Sequence, residues 1–369
     1  MNRTKKPLVL LLLPLLLSCG SHPSPKLSDY ESELPSFDTA SSLRVLQLTD
    51  IHWNFTTDMG RQKEYLSALV KNANPDFIMT TGDNILTASK ENFETLFDLF
   101  ESFSELLGKD VYYGFTWGNH DQQGLFDPHF PGRLASSKPH SLYKEIDDDL
   151  YGECNYLISL KKGSRILWQL YAIDSNSLHY QFPSFKYNYD IIHPEQIQWY
   201  AEEVRQAQKN NPDVKSLAFF HIPLWETDYS YRLAKGEPSI GYVGRYSGQM
   251  SEVSTNIEGL GQTKVYAGYQ RTSFFEVAES LGSTKAMFYG HDHKNDFAAE
   301  YSLKEGSSDP IALCYGLKSG SGLTYLSDRI GGNLAVISED GGFDLYRCFQ
   351  SYEEDYSSAN GYRMEAMFE

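Results

Sequence analysis

The sequence has 369 residues, of which 41% are hydrophobic and 14% aromatic, so it can bury a substantial core and global disorder is excluded. Its formal net charge of −17 excludes nucleic acid and anionic membrane surfaces as general partners. Three of the 32 basic residues and no acidic residue precede position 20, so loss of that segment leaves 29 basic against 49 acidic residues. We therefore expect an anionic substrate to be attracted locally, for instance by bound metal cations.

The first nineteen residues have the pattern of an export signal. Basic residues precede an apolar run from Leu8 to Leu17, which at ten residues is too short to span a bilayer as a helix. The run ends in Leu17-Ser18-Cys19-Gly20, which resembles the lipobox of bacterial lipoproteins. The resemblance implies cleavage before Cys19, lipidation of that cysteine and an extracytoplasmic location on a bacterial membrane. A plain secretory signal is the alternative.

The rest of the chain divides by composition. Residues 20–42 are rich in Ser and Pro, which predicts a tether, and residues 351–369 form a predicted acidic tail. Between them, over residues 43–350, short apolar runs alternate with helical patterns, which predicts one α/β domain. The predicted strands are Leu43–Leu48, Phe77–Thr80, Val111–Phe115, Ile166–Ile173, Leu217–Phe220 and Lys285–Tyr289, with further strands over 311–347, and the predicted helices cover 61–72, 90–107 and 194–208. Residues 222–270 have few apolar runs and are predicted to be a long excursion from the core.

Five short polar motifs each follow a predicted strand. They are Asp50-Ile51-His52, Gly82-Asp83, Gly118-Asn119-His120-Asp121, His221, and Gly290-His291-Asp292-His293. Because ligands bind outside the carboxyl ends of strands in open α/β sheets, we expect these loops to converge. Imidazole, carboxylate and amide ligands without thiolates suit Mn, Fe or Zn, and a carboxylate such as Asp83 can bridge two ions roughly 3.5–4 Å apart. The ordered set predicts a two-metal centre.

This ordered set resembles the calcineurin-like metallophosphoesterases from about Leu43 to Asp296. Within that family, Phe220-His221-Ile222-Pro223-Leu224 and the run from Gly290 to Asp296 are similar to purple-acid-phosphatase-like proteins. The resemblance implies a four-layer α/β fold, with a central β-sandwich flanked by helices and a dimetal site at the C-terminal ends of strands. It implies one metal held by Asp50, His52 and His293, another held by Asn119, His221 and His291, and Asp83 as the bridge. His120 would contact the phosphate and act as general acid.

One position departs from two branches of the family. Leu86, three residues after the bridging aspartate, stands where purple acid phosphatases have a tyrosine and protein phosphatases an aspartate. We therefore expect no tyrosinate-to-iron colour, and the protein Ser/Thr-phosphatase interpretation is disfavoured. Asp121 is left as a candidate partner for His120.

The resemblance implies hydrolysis of phosphate esters by a hydroxide activated between two metal ions. The expected protein is an extracytoplasmic phosphomonoesterase that acts on a small phosphate ester and is held at the membrane through lipidated Cys19. A phosphodiesterase and a non-catalytic surface lipoprotein are the alternatives.

Two further segments are candidates for contact with the substrate. The run from Gly316 to Gly322, with Lys318 within it, could wrap a phosphate or form a plain hairpin loop. An aromatic wall over the site is the second candidate, against ordinary surface tyrosines. Its residues are Trp225, Tyr229, Tyr231, Tyr242 and Tyr246.

Three cysteines remain after Cys19, namely Cys154, Cys314 and Cys348. Without a Cys-x-x-Cys pair they predict neither a thiolate metal site nor a redox motif. Three buried thiols, or one disulfide and one thiol, are both compatible with the sequence.

Overall fold

The structure is a computed structural model that describes residues 31–34, 42–53, 58–121, 123, 127–144, 150–183, 186–234, 245–251, 265–304, 307–320, 330–351 and 361–368. The predicted export signal with Cys19 lies outside these residues, as do Tyr242 and the side chain of Tyr246. Among the helices it describes, none combines the length and the apolar character needed to cross a bilayer.

Strands and six helices alternate through much of the described chain. The strands are β1 Glu31–Leu34, β2 Ser42–Leu48, β3 Phe77–Thr81, β4 Tyr112–Thr116, β5 Tyr156–Lys162, β6 Arg165–Ala172, β7 Leu178–Gln181, β8 Lys186–Tyr189, β9 Lys215–Phe219, β10 Arg245–Ser251, β11 Thr284–Tyr289, β12 Ala298–Ser302, β13 Ile311–Tyr315, β14 Gly331–Ser338, β15 Phe343–Gln350 and β16 Tyr362–Ala366. The helices are α1 Met59–Ala73, α2 Lys90–Leu107, α3 Phe130–Ser136, α4 Pro194–Asn210, α5 Trp225–Ala234 and α6 Phe274–Leu281.

Two large sheets organise these strands. One has eight strands in the order β1-β5-β6-β9-β11-β13-β12-β10, and the other has six in the order β16-β15-β14-β2-β3-β4. Within the smaller sheet β2, β3 and β4 are parallel neighbours, and within the larger sheet β9 and β11 are parallel neighbours. A separate two-stranded sheet pairs β7 with β8. The predicted α/β class is confirmed.

Alternation of apolar side chains gives the larger sheet two buried faces. On β9, Leu217 and Phe219 lie in a core shared with the smaller sheet, whereas Ala218 lies in a second core on the opposite face. On β11, Phe288 and Tyr289 divide between the two cores in the same way. Because successive side chains of a strand point to opposite faces, continuous apolar runs of this kind require cover on both sides.

Helices supply the outer cover. Helices α1 and α2 pack on each other and α1 packs against β14 and β15, while α4, α5 and α6 pack against β6, β12 and β11 of the larger sheet. Local signals place their ends: Ser89 caps α2 by accepting from the N–H of Asn92 at 3.2 Å, and Gly108 ends it in a left-handed conformation. The layers are therefore helices, six strands, eight strands and helices, as the family resemblance implies.

The interpretation of residues 222–270 as an excursion was wrong for the part that the structure describes. Helix α5 packs with Tyr229 and Tyr231 buried in the second core, and β10 pairs with β12 at the edge of the larger sheet. The run has few aliphatic segments because tyrosines occupy buried positions in it, and a tyrosine can bury most of its ring. Strands also occur where the sequence predicted a tether and a tail: β1 pairs with β5, and β16 pairs with β15.

The three cysteines that follow Cys19 are all free and buried. Burial raises the pKa of the Cys314 thiol to about 12 and that of the Cys348 thiol to about 11. A thiol with a raised pKa carries little thiolate, so these residues serve as core side chains.

Candidate metal centre

The five polar motifs meet where the carboxyl ends of parallel strands from the two sheets come together. Asp50 and His52 follow β2, Asp83 follows β3, Asn119 and His120 follow β4, His221 follows β9, and His291 and His293 follow β11. Neighbouring parallel strands deliver their following loops to the same edge, which is the physical reason that motifs distant in sequence converge.

Asp50, His52, Asp83 and His293 form the first group of potential ligands. The Nε2 atom of His293 lies 3.1 Å from Oδ1 of Asp50 and 3.0 Å from Nε2 of His52. The Nε2 atom of His52 lies 4.0 Å from Oδ2 of Asp83. Their ligand atoms all lie within 4.8 Å of one another, which is close enough to surround a single ion.

Asp83, His221 and His291 form the second group, and Asn119 lies beside it. The Nε2 atom of His221 lies 3.4 Å from Oδ2 of Asp83, 3.2 Å from Nδ1 of His291 and 3.2 Å from Oδ1 of Asn119. Asp83 belongs to both groups, and its Oδ2 faces histidines of each. This is the position that a bridging carboxylate requires.

The hydrogen bonds around these residues fit a bound cation. The Nδ1–H of His221 donates to the carbonyl oxygen of Thr81 at 2.8 Å, so a neutral His221 presents the lone pair of Nε2 to two oxygens and a nitrogen. A bound cation would replace the repulsion between these lone pairs by attraction. The hydrogen bond from the other ring nitrogen to a carbonyl oxygen is also typical of metal-binding histidines. Oδ1 of Asp50 is buried, and its contact in the cluster is with Nε2 of His293 at 3.1 Å.

In both Asp50 and Asp83, hydrogen bonds hold the carboxylate oxygen that does not face the histidines. Oδ2 of Asp50 accepts from the hydroxyl of Thr49 at 2.9 Å and from the backbone N–H of His291 at 3.1 Å. Oδ1 of Asp83 accepts from the backbone N–H of His120 at 2.9 Å. Each aspartate is thereby fixed with one oxygen left for the histidine cluster, an arrangement common around metal ligands.

Burial and mutual charge shift the pKa values of the cluster. Burial by itself raises the pKa of the Asp50 carboxyl, but His293 and His221 outweigh it and lower that pKa to about 2. Burial lowers the pKa of His52 to about 4, and burial together with His221 lowers that of His291 to about 3. Burial also disfavours charge on His221, but Asp83 and Asp50 outweigh it and raise that pKa to about 10. Asp50 is thus ionised and His52 and His291 are neutral, as metal ligands must be. The raised pKa of His221 reflects the demand of the two carboxylates for positive charge, which a metal ion at this position would supply in place of the proton.

Four residues of the cluster have left-handed backbone conformations. The φ angles are 49° at Asp50, 45° at His52, 49° at Asp83 and 76° at His291. A non-glycine residue with positive φ is uncommon, and such strain, of about 1–3 kcal/mol per residue, is concentrated at functional sites. The surrounding sheet hydrogen bonds hold these loops: the N–H of Asp50 donates to Gly82 O at 3.0 Å.

Glycines allow the ligand loops to approach one another. A Cβ atom at Gly118 would lie 2.2 Å from the backbone nitrogen and Oδ1 of Asp83. A Cβ atom at Gly290 would lie 1.9 Å from Oγ1 of Thr49 and 2.4 Å from Oδ2 of Asp50. Glycine is required at these two positions because the loops pack closely against each other.

His120 lies at the open side of the cluster. Its Nε2 atom is 4.0 Å from Oδ2 of Asp83, and its side chain is 33% exposed. Asp121 does not contact His120: this carboxylate is fully buried and accepts from the N–H groups of Gly118 and Ile85 at 2.7 and 2.8 Å. Asp121 therefore ties two ligand loops together.

The partner of His120 is a residue that sequence reasoning missed. The Nδ1 atom of His120 lies 3.1 Å from Oε1 of Gln123. A hydrogen-bonding side chain three residues after a histidine, within a turn, was the signal that could have found it. Leu86 is half-buried and carries no polar group for this purpose.

The predicted glycine-rich segment lies beside the first ligand loop. The N–H of Ser319 donates to the carbonyl oxygen of Thr49 at 2.8 Å, and the N–H of Thr49 donates to Oγ of Ser319 at 3.0 Å. Lys318 is 3% exposed, and burial lowers the pKa of its amine to about 6. The described part of the segment, residues 316–320, therefore supports the metal loop; residues 321 and 322 lie outside the described chain.

The predicted aromatic wall is not formed by Tyr229 and Tyr231. These side chains are 8% and 7% exposed and lie in the second core. Trp225 is half-exposed, and its indole N–H donates to Gly268 O at 2.9 Å. Among the described residues, Tyr189 is an aromatic side chain that touches the cluster, and its ring centroid lies 4.1 Å from that of His291.

Residues 43–295 match the family model described as calcineurin-like phosphoesterase. The chain belongs to this family. The match includes all the predicted metal ligands and His120. Membership in this phosphoesterase family agrees with the two-sheet α/β fold and with the clustered Asp and His ligands.

Several named proteins are similar in sequence to this chain. Probable inactive purple acid phosphatase 14 of Arabidopsis thaliana is 23% identical over 85% of this chain and 80% of its own length. Phosphatase DCR2 of Saccharomyces cerevisiae is 27% identical over 66% of this chain and 39% of its own length. The chain thus spans less than half of the yeast protein.

Two solved structures are also similar. A dimetal phosphatase from Danio rerio has a TM-score of 0.49 and 11% identity, covering 88% of this chain and 98% of its own. GAP50, the anchor in the inner membrane complex of Plasmodium, has a TM-score of 0.46 and 14% identity, covering 89% of each chain.

Proposed function

We propose that this calcineurin-like phosphoesterase is an active, metal-dependent phosphomonoesterase. The observation that carries the proposal is the position of His120. Its imidazole lies at the open side of a buried Asp/His cluster, within 4.0 Å of the carboxylate that both ligand groups share. A protein that kept the fold only for binding has no need of a polar, part-exposed imidazole held at this position.

The ligand assignment follows the two groups. Asp83 would hold both metals, since its Oδ2 faces both groups. The first metal would be held by Asp50, His52 and His293, and the second by Asn119, His221 and His291. The Asn119 amide oxygen supplies a neutral ligand, which limits the negative charge of the centre. The identity of the ions, among Mn, Fe and Zn, is left to measurement.

The chain's own groups have distinct tasks in ester hydrolysis. Bound metal ions supply positive charge that neutralises the phosphoryl oxygens and lowers the pKa of water. The carboxylates and imidazoles orient that charge toward the open side of the cluster. His120 donates Nδ1–H to Gln123, which leaves Nε2 facing the cluster. A proton held on Nε2 can pass to the oxygen of the departing alcohol, as a general acid.

We also propose an extracytoplasmic location with lipid attachment at Cys19. The support is the sequence pattern of residues 1–19, with its basic start, short apolar run and cysteine at the end. Metabolic labelling with a fatty acid tests this directly. Label that enters the native chain and not a Cys19→Ser variant is the expected result, whereas equal label in both variants contradicts lipidation at this cysteine.

Hydrolysis is best tested on protein stripped of metal and then reloaded with Mn, Fe or Zn. Initial rates on a chromogenic phosphomonoester and on the matching diester are compared, with His120→Ala as the test variant. His129→Ala is the matched control, because His129 is exposed and is not one of the cluster residues. Its Nδ1 atom pairs with Oε2 of Glu153 at 2.7 Å. We expect metal-dependent turnover of the monoester that His120→Ala reduces by about a hundredfold or more. A preference for the diester would favour the phosphodiesterase alternative.

A non-catalytic role is the second candidate, and the names of relatives favour it. Three of the similar Arabidopsis proteins are named probable inactive purple acid phosphatases. Native protein with two bound metals and no turnover of either ester would support this candidate. Turnover that survives in His120→Ala at the native rate would instead reject the role of His120 while leaving hydrolysis in place.

A further inference from the structure

The β7–β8 hairpin rises from the rim of the metal cluster. At its start, the Oγ–H of Ser177 donates to the carbonyl oxygen of Asn119 at 3.2 Å. At its end, the ring of Tyr189 meets the ring of His291 edge-on, with centroids 4.1 Å apart and an interplanar angle of 86°. Both ends of the hairpin therefore contact proposed metal ligands, and its strands extend outward from them.

The two faces of this hairpin have different contacts. The register pairs His179 with Asn188 and Tyr180 with Tyr187. On the first face, His179 stacks on Tyr269 with centroids 4.0 Å apart. Because side chains alternate along a strand, Tyr180, Tyr187 and Tyr189 share the opposite face, which we call the tyrosine face. Tyr180 and Tyr187 are 68% and 65% exposed, with ring centroids 6.2 Å apart.

The tyrosine face begins at the cluster and runs away from it. Tyr187 is two residues from Tyr189 and on the same side of β8, so its ring is the next aromatic surface outward from His291. A surface of this kind offers flat aromatic contact and little attraction for additional phosphate groups.

We propose that the tyrosine face binds a planar ring in the alcohol part of the substrate, next to a phosphate held at the metal cluster. The proposal rests on the proposed function for the position of the phosphate. It assigns the substrate class as single-phosphate esters of ring-bearing alcohols, such as aryl or nucleoside monophosphates. Continuity of the exposed rings with His291 favours the substrate over a separate partner, because a ring ester is the ligand that occupies both regions at once.

Phosphonates test this without depending on turnover, because their P–C bond is not an ester. Binding to Mn-loaded native protein is measured by calorimetry with methylphosphonate, phenylphosphonate and biphenyl-4-ylphosphonate. We expect the biphenyl compound to bind roughly tenfold more tightly than methylphosphonate, the gain typical of ring stacking. The double variant Tyr180→Ser/Tyr187→Ser should lose this gain and keep the affinity for methylphosphonate. Leu106→Ser, at an exposed apolar position on α2, is the control.

The ring-binding role and the proposed phosphomonoesterase function can fail independently in these experiments. Equal affinity for all three phosphonates, or a biphenyl gain that persists in the double variant, overturns the ring-binding role. Failure of every phosphonate to bind the metal-loaded protein also overturns it, since the phosphate then lies elsewhere. If the ring-dependent gain is present and the variant removes it, while no ester is hydrolysed, the tyrosine face stands and the proposed enzymatic function fails.

Discussion

The Nδ1 atom of His120 lies 3.1 Å from the amide Oε1 of Gln123, three residues further along the same loop. An amide oxygen only accepts hydrogen bonds, so Nδ1 carries hydrogen and Nε2 is the atom turned toward Asp83. The partner of His120 is therefore a neutral amide and not a carboxylate. Gln123 therefore positions His120 without adding charge to an already acidic centre.

We expect Gln123→Ala to lower kcat by about tenfold, the usual cost of removing a group that orients a functional imidazole. KM should change little, because Gln123 acts through His120. Gln123→Glu keeps an acceptor at the same place and should recover most of kcat. Steady-state kinetics on a phosphomonoester gives both parameters, and a rise in KM at constant kcat would show that Gln123 contacts the substrate instead.

Gly290→Ala should disrupt metal binding without unfolding the protein. The new Cβ would lie 2.4 Å from Oδ2 of Asp50 and 1.9 Å from Oγ1 of Thr49, so the Asp50 carboxylate must shift. We expect metal affinity to fall by at least about tenfold, in line with a displaced ligand. Metal titration followed by calorimetry measures it.

Gly60→Ala is the matched control for this substitution. Its Cβ would meet only Oδ1 of Asp58, at an ordinary 3.6 Å, at the start of α1. Gly60→Ala should retain native metal affinity. The close-packing explanation fails if Gly290→Ala binds metal as tightly as this control.

The positions of the ligands could be predicted because the information is local. Short apolar strands ending in Asp, Asn or His place each side chain at a sheet edge, and parallel neighbours such as β2 and β3 bring those edges together. The left-handed conformations of Asp50, His52 and Asp83 could not be predicted, since aspartate and histidine adopt positive φ only occasionally and their own side chains do not require it. Contacts from the rest of the fold impose that strain.

Elements whose burial depends on aromatic residues were harder to predict. Tyr229 and Tyr231 have apolar rings and polar tips, so their sequence pattern does not distinguish a surface loop from the buried side of α5. The β7–β8 hairpin was missed for a related reason. Its residues alternate weakly in hydrophobicity, and the stacking of His179 on Tyr269 joins segments 90 residues apart. Pairings across such distances are set by tertiary structure.

Asp83→Ala should empty both metal positions, whereas Asn119→Ala should affect only one. Asp83 belongs to both ligand groups, and Asn119 contacts only His221 of the second group through its Oδ1. We expect about two equivalents of metal in native protein, about one in Asn119→Ala, and close to none in Asp83→Ala. Elemental analysis after dialysis against buffered metal provides the counts. Retention of one full equivalent by Asp83→Ala would mean that this carboxylate serves a single ion.

Glu203→Gln should stabilise the protein, and increasingly so as the pH rises. Glu203 is 4% exposed on α4, and burial, with Glu31 and Glu202 nearby, raises the pKa of its carboxyl to about 8. A raised pKa means that the folded state favours the protonated form. Stability from this group is therefore complete below its unfolded pKa near 4.5 and is lost as the pH rises toward 8.

Glutamine keeps the shape without the charge, so the free energy of unfolding of Glu203→Gln should match the native value near pH 4.5. Above pH 8 it should exceed the native value by on the order of 1–3 kcal/mol. Urea denaturation at several pH values measures the difference, with Glu64→Gln as control because Glu64 is exposed on a different helix, α1. A difference that stays constant from pH 4.5 to 9 would show that Glu203 does not titrate between these values, and the cause would then be packing.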